Sequence, residues 1–175
     1  MEKHIEVQIK GTSALLMNHY PTGSVAGVHK KPIEEQAELS AYRNGDGELY
    51  VPGNAVRAAL GCGASYIKKG RGTLSKFIAA VAFVTPEHLS LGTKEYEIDK
   101  ASAVNPQTKS RIMVYRPKLK EWEISFDLEY DDDFISEEEM RKAADIAGKM
   151  CGLLAYRPAK KGPYGRFIVT SWKVL

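Results

Sequence analysis

The sequence has few cysteines and no long apolar run, and both absences restrict what the protein can be. Only Cys62 and Cys151 occur among 175 residues, without the Cys-x-x-Cys spacing of a zinc site or the density of a disulfide framework. We therefore expect two buried free thiols. No run reaches the roughly 20 apolar residues of a membrane span, and the first residues lack the layout of a signal peptide. These absences predict a cytoplasmic protein without a membrane partner.

The glycine motifs of nucleotide-binding proteins are also missing. No Gly-x-x-x-x-Gly-Lys-Ser/Thr occurs, and Gly61-Cys62-Gly63 lacks the third glycine and the preceding strand of a dinucleotide fingerprint. Asp131-Asp132-Asp133 is a dense acidic group, but consecutive residues of an extended segment point to alternate sides and cannot all reach one ion. We interpret it as a solvated turn. No cofactor and no metal are expected.

Acidic residues are absent from residues 157–175, which carry five basic side chains. Residues 61–120 have a net charge of +7, residues 121–156 of −8 and residues 1–60 of −1. If the two basic segments converge in space, they form a patch that can bind a polyanion. The acidic segment then faces elsewhere or meets a basic neighbouring subunit.

Hydrophobic periodicity gives a coarse order of elements. Strands are predicted at residues 4–10 with a continuation at 15–17, in the second half of 77–84, at 112–115 until Arg116-Pro117, at 121–130 and at 167–172. Asn54 is predicted to cap a helix over residues 55–61. The capping-box sequence at Ser136 begins a second helix whose apolar residues continue to Leu154. Residues 18–49 show no sustained period and are predicted to be a long loop insertion.

This order is close to the βαββαβ plan of a ferredoxin-like, or RRM-like, α+β domain with helices on one face of the sheet. We predict one such domain over residues 1–175, with an added strand. An open sheet face beside two basic loops is typical of RNA-recognition domains, although the same fold serves many functions.

The stretch from Arg157 to Phe167 is the strongest candidate for a binding loop. It contains four cations, two glycines and a tyrosine: Arg157, Lys160, Lys161, Arg166, Gly162, Gly165 and Tyr164. Glycine allows a main chain to approach a phosphate closely, the cations supply charge, and the tyrosine ring offers a stacking surface. This combination predicts that the stretch binds single-stranded nucleic acid. The alternative is a solvated turn whose cations only keep the surface soluble.

Further cations complete the predicted site. Lys68, Lys69 and Arg71 belong to a second basic loop that contains glycine, and Lys109 and Arg111 lie just before a predicted strand. Arg57, in the first predicted helix, is expected to contribute one phosphate contact. No catalytic residue is assigned.

Two segments resemble the RAMP superfamily, the repeat-associated RNA-binding subunits of CRISPR effectors. Residues 51–60 are similar to its Pro-Gly-Ser-Ser-apolar-Lys/Arg-Gly-Ala-Leu-Arg segment: Pro52, Gly53, Val56, Arg57, Ala59 and Leu60 match, whereas Asn54, Ala55, Ala58 and Gly61 differ. Gly61 stands where the family often has a second basic residue. Residues 162–167 resemble its C-terminal glycine-rich loop, and residues 112–167 resemble a Cas-backbone-like family of phages and mobile elements. The resemblance implies an RRM-like fold that binds single-stranded RNA, and a phage-type relative.

The sequence therefore predicts a non-catalytic protein that binds single-stranded RNA or single-stranded DNA. One alternative is a protein-interaction component that self-assembles into an oligomer or filament, or mimics a CRISPR subunit, through pairing of its oppositely charged segments. A second is a metal-independent endoribonuclease that uses His19 or His29 in the predicted loop. The type III backbone subunits of the superfamily cut their target with an aspartate in the loop before the Pro-Gly turn, which Glu34, Glu35 and Asp46 do not clearly match, so that activity is not transferred.

Overall fold

A computed structural model describes residues 1–20 and 27–175. The strands are β1 (Glu2–Gly11), β2 (Leu15–Leu16), β3 (Tyr50–Pro52), β4 (Lys68–Lys69), β5 (Gly72–Thr73), β6 (Ala82–Thr85), β7 (His88–Ser90), β8 (Glu97–Val104), β9 (Arg111–Leu119), β10 (Glu123–Asp131) and β11 (Phe167–Val174). The helices are α1 (Ile33–Leu39), α2 (Gly53–Ala64), α3 (Ser75–Val81) and α4 (Glu137–Ile146). A π-helical turn, Ala147–Cys151, extends α4, and short 3-10 turns span Val28–Lys30 and Pro158–Lys160.

The main sheet has four strands in the order β11-β1-β10-β6, and each neighbouring pair is antiparallel. The chain leaves β1 and returns in β6 through a crossover that contains α2 and α3. It leaves β10 and returns in β11 through α4. The molecule is an α+β fold with antiparallel sheets, as the sequence predicts.

The hydrophobic core lies on one face of this sheet, because apolar residues alternate with polar ones along the central strands. Buried side chains of β1 and β10 are Ile5, Val7, Ile9, Ile124, Phe126, Leu128 and Tyr130. They pack in one cluster with residues of α2, α3 and α4, among them Leu60, Ile78 and Met140. Burying each such side chain contributes about 1.5–3 kcal/mol. The opposite face of the sheet stays exposed.

Two glycines let α4 and its π-helical turn pack between α2 and β11 at very short range. A Cβ built on Gly63 of α2 would lie 2.2 Å from the carbonyl oxygen of Ala143 in α4. A Cβ built on Gly148 would lie 2.1 Å from the carbonyl oxygen of Phe167 in β11. Any larger residue would push these elements apart, so both glycines fix the distance between the helices and the last strand.

The predicted elements are largely confirmed around this core. The strands at residues 4–10, 121–130 and 167–172 and the strand in the second half of 77–84 match the structure, and the first half of 77–84 belongs to α3. Both hydrogen bonds of the capping box between Ser136 and Glu139 are present. The Asn54 cap is wrong: α2 begins at Gly53 with Pro52 before it. Within the described ranges no helix has both the length and the apolar character needed to cross a bilayer.

A second sheet, in the order β2-β9-β8, was only partly predicted. β8 was missed because its apolar residues are small or interrupted by charge. β9 does not stop at Arg116-Pro117 but continues to Leu119. Proline is tolerated at this point because β2 pairs only with Lys118 and Leu119, which leaves β9 as an edge strand before them. Leu15 and Leu16 therefore belong to this second sheet and do not continue β1.

The prediction of a structureless loop at residues 18–49 is wrong for the described part of that segment. α1 lies within it, and Arg43 binds the Glu38 carboxylate at the end of α1. The hydroxyl of Tyr96 donates to the same carboxylate at 2.7 Å. The hydrogen bond from Arg43 lowers the pKa of Glu38, and burial together with the nearby Glu38 carboxylate raises the pKa of Tyr96 to about 12. This three-residue cluster joins α1 to the segment before β8.

The sequence-based argument that the side chains of Asp131, Asp132 and Asp133 cannot all reach one point is also wrong. Residues 132–134 form a turn, and ligand atoms of Asp131, Asp132 and Asp133 lie within 4.8 Å of one another. All three carboxylates surround the α-ammonium of Met1, at 2.9, 3.0 and 3.2 Å. Their hydrogen bonds raise the pKa of that amine to about 11. The cluster is thus neutralised in part by the chain's own amine.

The two cysteines are not free thiols, contrary to the sequence-based expectation. Cys62 of α2 and Cys151 at the end of the π-helical turn form a disulfide across a sequence separation of 89 residues, with their Cα atoms 6.2 Å apart. Spacing alone could not reveal the pair, because it depends on the close packing of α2 against α4 at Gly63.

We expect Glu38→Gln to destabilise the protein in a pH-dependent way. The pKa of Glu38 is lower in the folded protein than its usual 4.5, so the carboxylate contributes stability above the unfolded pKa and loses it as pH falls through the folded value. Urea unfolding between pH 3 and pH 7 should therefore show a difference between wild type and variant that shrinks on acidification. Glu34→Gln, an exposed change in the same helix, is the control. A difference that is constant over this range would contradict the assigned ion pair.

Reduction of the disulfide should lower the free energy of unfolding by about 2–4 kcal/mol, because the cross-link restricts the unfolded chain. The measurement is urea unfolding with and without dithiothreitol. The double variant Cys62→Ala/Cys151→Ala is the control and should not respond to the reductant. Two reactive thiols in the unreduced, unfolded protein would disprove the cross-link.

Candidate nucleic-acid interface

Residues 152–166, called here the C-terminal loop, fold back on themselves through main-chain hydrogen bonds. The amide of Leu153 donates to Gly165 at 3.0 Å, and that of Tyr164 donates to Tyr156 at 3.1 Å. Nearer the tip, the amide of Gly162 donates to Arg157 at 3.0 Å. The loop therefore has a defined shape of its own.

The segment after β1 holds the base of this loop on both sides. The amide of Ala155 donates to the Leu16 carbonyl at 3.0 Å, and the amide of Gly165 donates to the Ala14 carbonyl at 2.8 Å. The amide of Arg166 donates to the hydroxyl of Ser13 at 3.0 Å. Leu16 also pairs with β9 of the second sheet, and Ser13 and Ala14 follow β1 of the main sheet. The hydrogen bonds therefore connect the loop to both sheets.

Left-handed backbone conformations are concentrated in the C-terminal loop. Gly152, Leu154, Tyr156, Lys161 and Gly165 have φ values of 71°, 61°, 48°, 64° and 77°. The three residues other than glycine are in a region that costs roughly 1 kcal/mol or more for an L side chain. Such strain is stored more often at functional sites than elsewhere.

The two glycines of the predicted motif are required by the protein's own packing. A Cβ on Gly162 would lie 2.0 Å from the Tyr156 carbonyl oxygen, and one on Gly165 would lie 2.0 Å from the Leu153 carbonyl oxygen. Their direct approach to a phosphate stays a prediction. What they provide in the folded chain is the tight turn that presents the neighbouring side chains.

The cations of the loop are mostly exposed. Lys160, Lys161 and Arg166 are exposed, and none of them forms an ion pair with a carboxylate of the described residues. Arg157 is half-buried and donates to the Leu154 carbonyl at 2.9 Å, which fixes its guanidinium against the loop. Tyr164 is also half-buried, with its ring 6.0 Å from that of Tyr156. The loop therefore offers three free cations and one that is held in place.

A groove of about 550 Å³ separates the C-terminal loop from α2. We call it the α2 groove. Ala55, Ala58, Ala59 and Cys62 line it on the helix side, and Leu154, Ala155, Arg157 and Lys160 line it on the loop side. Asn18 and Tyr42 also line it, and the disulfide forms part of its wall. One side of the groove is formed by part of the first segment that resembles the RAMP superfamily, whereas no residue of the second, 162–167, lines it; no acidic side chain of the described residues lines it either.

Arg57 is occupied inside the protein. Its Nε donates to the Ala82 carbonyl at 2.7 Å, and one terminal nitrogen donates to the Ala79 carbonyl at 2.6 Å. The guanidinium also lies 5.1 Å from the centre of the Phe83 ring. These contacts join α2 to α3 and β6, so a phosphate contact by Arg57 would compete with them.

The second basic loop lies near the start of α4, away from the C-terminal loop. Lys69 forms an ion pair with Glu139 at 2.8 Å and donates to the Phe134 carbonyl. Lys68 and Arg71 are exposed. Because Glu139 and Cys151 are separated by twelve residues of helix, this loop lies about 18 Å along that axis from the α2 groove.

Lys109 and Arg111 lie at the far end of the hairpin formed by β8 and β9. Lys109 occupies its turn with a φ of 60°, and Arg111 donates to the Ser102 hydroxyl at 3.1 Å. The near end of β9, at Leu119, pairs with Leu15 beside the C-terminal loop. Eight residues of strand place Arg111 about 26 Å from that end. The structure thus distributes the predicted cations over four places, and of all of them only Arg157 and Lys160 line the α2 groove.

The open face of the main sheet is acidic. Its central strands expose Glu6, Glu123 and Asp127 and partly expose Glu129, against the exposed Lys10 of β1, and Lys173 of β11 forms an ion pair with Glu6 at 3.7 Å. RRM domains bind RNA bases on aromatic side chains of this face. The two central strands here expose no aromatic residue on it. A strand of RNA laid across the two central strands would meet like charges without a stacking surface, and Phe83, an exposed ring on the edge strand β6, already lies 5.1 Å from the Arg57 guanidinium.

The two histidines of the nuclease alternative lie in different places. His19 donates from Nδ1 to the Tyr20 carbonyl oxygen at 2.7 Å, and its ring lies 4.5 Å from that of Tyr42. His29 is in the 3-10 turn Val28–Lys30 before α1. Only His19 is next to a residue of the α2 groove. Residues 21–26 lie outside the described part of the chain.

The sequence analysis did not identify Tyr42. Its ring is part of a row of aromatic contacts beside the groove. The Tyr50 ring lies 5.5 Å from it and stacks at 4.0 Å on the ring of His88. Burial is the main reason why the pKa of Tyr42 is raised, with a smaller effect of Tyr50. No motif surrounds Tyr42 in the sequence, so its position could be found only from the fold.

Comparison with known proteins gives a match at the level of structure only. No protein-family model matches the chain, and no curated protein matches its sequence. A chain in the cryo-EM structure of the Type III-B Cmr-beta bound to cognate target RNA superposes with a TM-score of 0.64 and 11% sequence identity. The two chains share a fold. The alignment covers 99% of this chain and 61% of the other.

This likeness supports a RAMP-like fold and leaves the phage origin without support. Because identity is only 11%, residue roles do not transfer with the fold. The protein also spans less than two thirds of its structural neighbour, so that chain contains parts that have no counterpart here.

We expect Gly165→Ala to lower the free energy of unfolding by about 2 kcal/mol or more. Its φ of 77° penalises an L residue, and the new Cβ would meet the Leu153 carbonyl oxygen at 2.0 Å. Gly45→Ala is the matched control, because a Cβ at Gly45 meets nothing within 4 Å. Urea unfolding of both variants measures the difference. Equal stabilities would show that the loop can relax around the added methyl group.

Proposed function

We propose that this protein binds single-stranded RNA through its C-terminal loop, without catalysis, as a single RRM-like domain related to the RAMP superfamily. The observation that carries the proposal is the exposed, unpaired set Lys160, Lys161 and Arg166 on a loop of fixed backbone. Because the main chain of the loop is already ordered, only the side chains of these cations have to be ordered when they bind phosphates. The neighbouring α2 groove adds an apolar surface beside the charges.

The order of strands supports the ferredoxin-like part of the proposal. β1 and β6 run parallel with β10 between them, and β10 and β11 run parallel with β1 between them. Two interleaved split βαβ units of this kind make up the βαββαβ plan. The structural neighbour belongs to an assembly bound to target RNA, which is consistent with an RNA partner.

The acidic open face is the reason to place RNA at the loop and not on the sheet. Four carboxylates on the central strands repel a phosphate chain, whereas the loop and the groove have no acidic lining among the described residues. The protein thus keeps an RRM-like frame but uses a different surface from the usual one.

The acidic face also favours a second candidate function, assembly of the protein with itself. The basic C-terminal loop of one copy is complementary in charge to the acidic sheet face of another, and such head-to-tail contacts build oligomers. This candidate predicts a nucleic-acid-free oligomer that dissociates as salt is raised. Light scattering of nucleic-acid-free protein across a salt series separates it from a monomer that binds RNA.

Fluorescence-anisotropy titrations of a labelled 30-nucleotide single-stranded RNA, repeated at several salt concentrations, test whether the C-terminal loop binds the phosphates. Each phosphate contact contributes a slope of about −0.7 to log K against log salt for single strands. The variant Lys160→Gln/Lys161→Gln/Arg166→Gln should therefore bind more weakly, with a slope that is smaller in magnitude by about 2. A slope equal to that of wild type would rule out the loop as the phosphate-binding surface.

The control for this experiment is Lys94→Gln/Lys100→Gln/Lys142→Gln. It removes the same charge from exposed lysines outside the C-terminal loop and should keep the wild-type slope. Single-stranded DNA of the same sequence shows whether the 2′-hydroxyl matters. Gel analysis of the RNA after incubation tests for cleavage, and cleavage lost in His19→Gln would replace this proposal with the nuclease.

A further inference from the structure

We propose that the α2 groove is a binding pocket for one unpaired nucleobase, with Tyr42 as its stacking side chain. This inference rests on the proposed function and adds the chemical group that the site recognises. A loop that held only phosphates would need no cavity beside it. We therefore infer that the groove binds a ligand group that has apolar faces and is attached to a phosphate chain.

The lining of the groove fits the flat face of a base. Ala55, Ala58 and Ala59 form a shallow helix surface without long side chains, and the disulfide adds polarisable sulfur. The volume of about 550 Å³ is within the roughly 300–1,000 Å³ of small-molecule sites. A planar ring can reach the helix because small residues occupy this face of α2.

The charges of the groove fit the phosphates on either side of that base. Arg157 is held by the Leu154 carbonyl at 2.9 Å and lines the groove together with the exposed Lys160. Asn18, also in the lining, offers one acceptor and two donors to the edge of a base. Apolar walls with cations on one side match a nucleotide better than an apolar peptide or a free anion.

Tyr42 is fixed in place from several directions. Its ring contacts those of His19 at 4.5 Å and Tyr50 at 5.5 Å, and its amide donates to the sulfur of Met17 at 3.5 Å. The next residue, Arg43, is bound to Glu38. A ring that is already ordered loses little freedom when a base stacks on it.

Affinity for RNA should fall in Tyr42→Leu without a change in its salt dependence. Stacking of a base on an aromatic ring accounts for roughly tenfold in affinity, whereas no charge is lost. Tyr66→Leu, a half-exposed tyrosine beyond the C-terminal end of α2, is the matched control and should bind like wild type. The probe is the labelled 30-nucleotide RNA over the same salt series. A tenfold loss with an unchanged slope supports the pocket, and equal affinity of Tyr42→Leu and Tyr66→Leu overturns it.

Filling the groove gives a second test that leaves Tyr42 in place. Ala58→Leu puts a larger side chain on an exposed position of α2 inside the groove, and Ala80→Leu makes the same change on exposed α3 outside it. Only the first should weaken binding of RNA, by roughly tenfold, as expected for the loss of one stacked base. Equal binding by the two variants would overturn the pocket. Thermal unfolding of both verifies that they fold.

An abasic oligonucleotide of the same length separates this inference from the proposed function. Wild type should bind it roughly tenfold more weakly than RNA, and Tyr42→Leu should no longer distinguish the two. If wild type binds RNA and the abasic chain equally and with the same salt slope, the loop remains a phosphate site and the base pocket is wrong. If it binds neither at low salt, both the function and the pocket are wrong.

Discussion

The close approach of α2 to α4 at Gly63 is the contact on which the candidate site depends. Because no side chain separates the two helices there, Cys62 reaches Cys151 and the C-terminal loop starts beside α2. Gly148 likewise allows the π-helical turn to approach β11 closely, and the C-terminal loop ends at β11. Two short helix contacts thus determine where the loop leaves and rejoins the fold. The width of the α2 groove follows from them.

The electrostatic arrangement separates this protein from a typical RNA-recognition domain. We propose the plan of that domain for its buried sheet face and two crossovers, yet Glu6, Glu123 and Asp127 occupy the face where bases would stack. Positive charge is instead placed on a loop beyond one end of the helices. In this proposal the fold and the binding surface are independent features, as is common for folds that serve many functions.

Much of the core could be predicted from the sequence, because strict alternation along β1 and β10 leaves one choice of buried face. The capping box at Ser136 located α4 for a similar local reason. The disulfide, the neutralised aspartates and the structure within residues 18–49 depend on contacts between distant segments, which periodicity does not encode. In the candidate site, Lys160 and Lys161 were proposed from local composition, and the structure places both on the exposed surface of the C-terminal loop. Tyr42 was missed because its position depends on Glu38, Arg43 and Tyr96 coming together.

The C-terminal loop holds its shape through main-chain hydrogen bonds and left-handed residues, so its cations contribute little to that shape. Lys160, Lys161 and Arg166 can therefore be exchanged for other side chains while the scaffold beneath them stays the same. Such a loop allows the strength and selectivity of the proposed RNA binding to diverge during evolution at little cost to folding. Two proteins with this frame can then keep a common architecture long after their sequences have ceased to resemble each other.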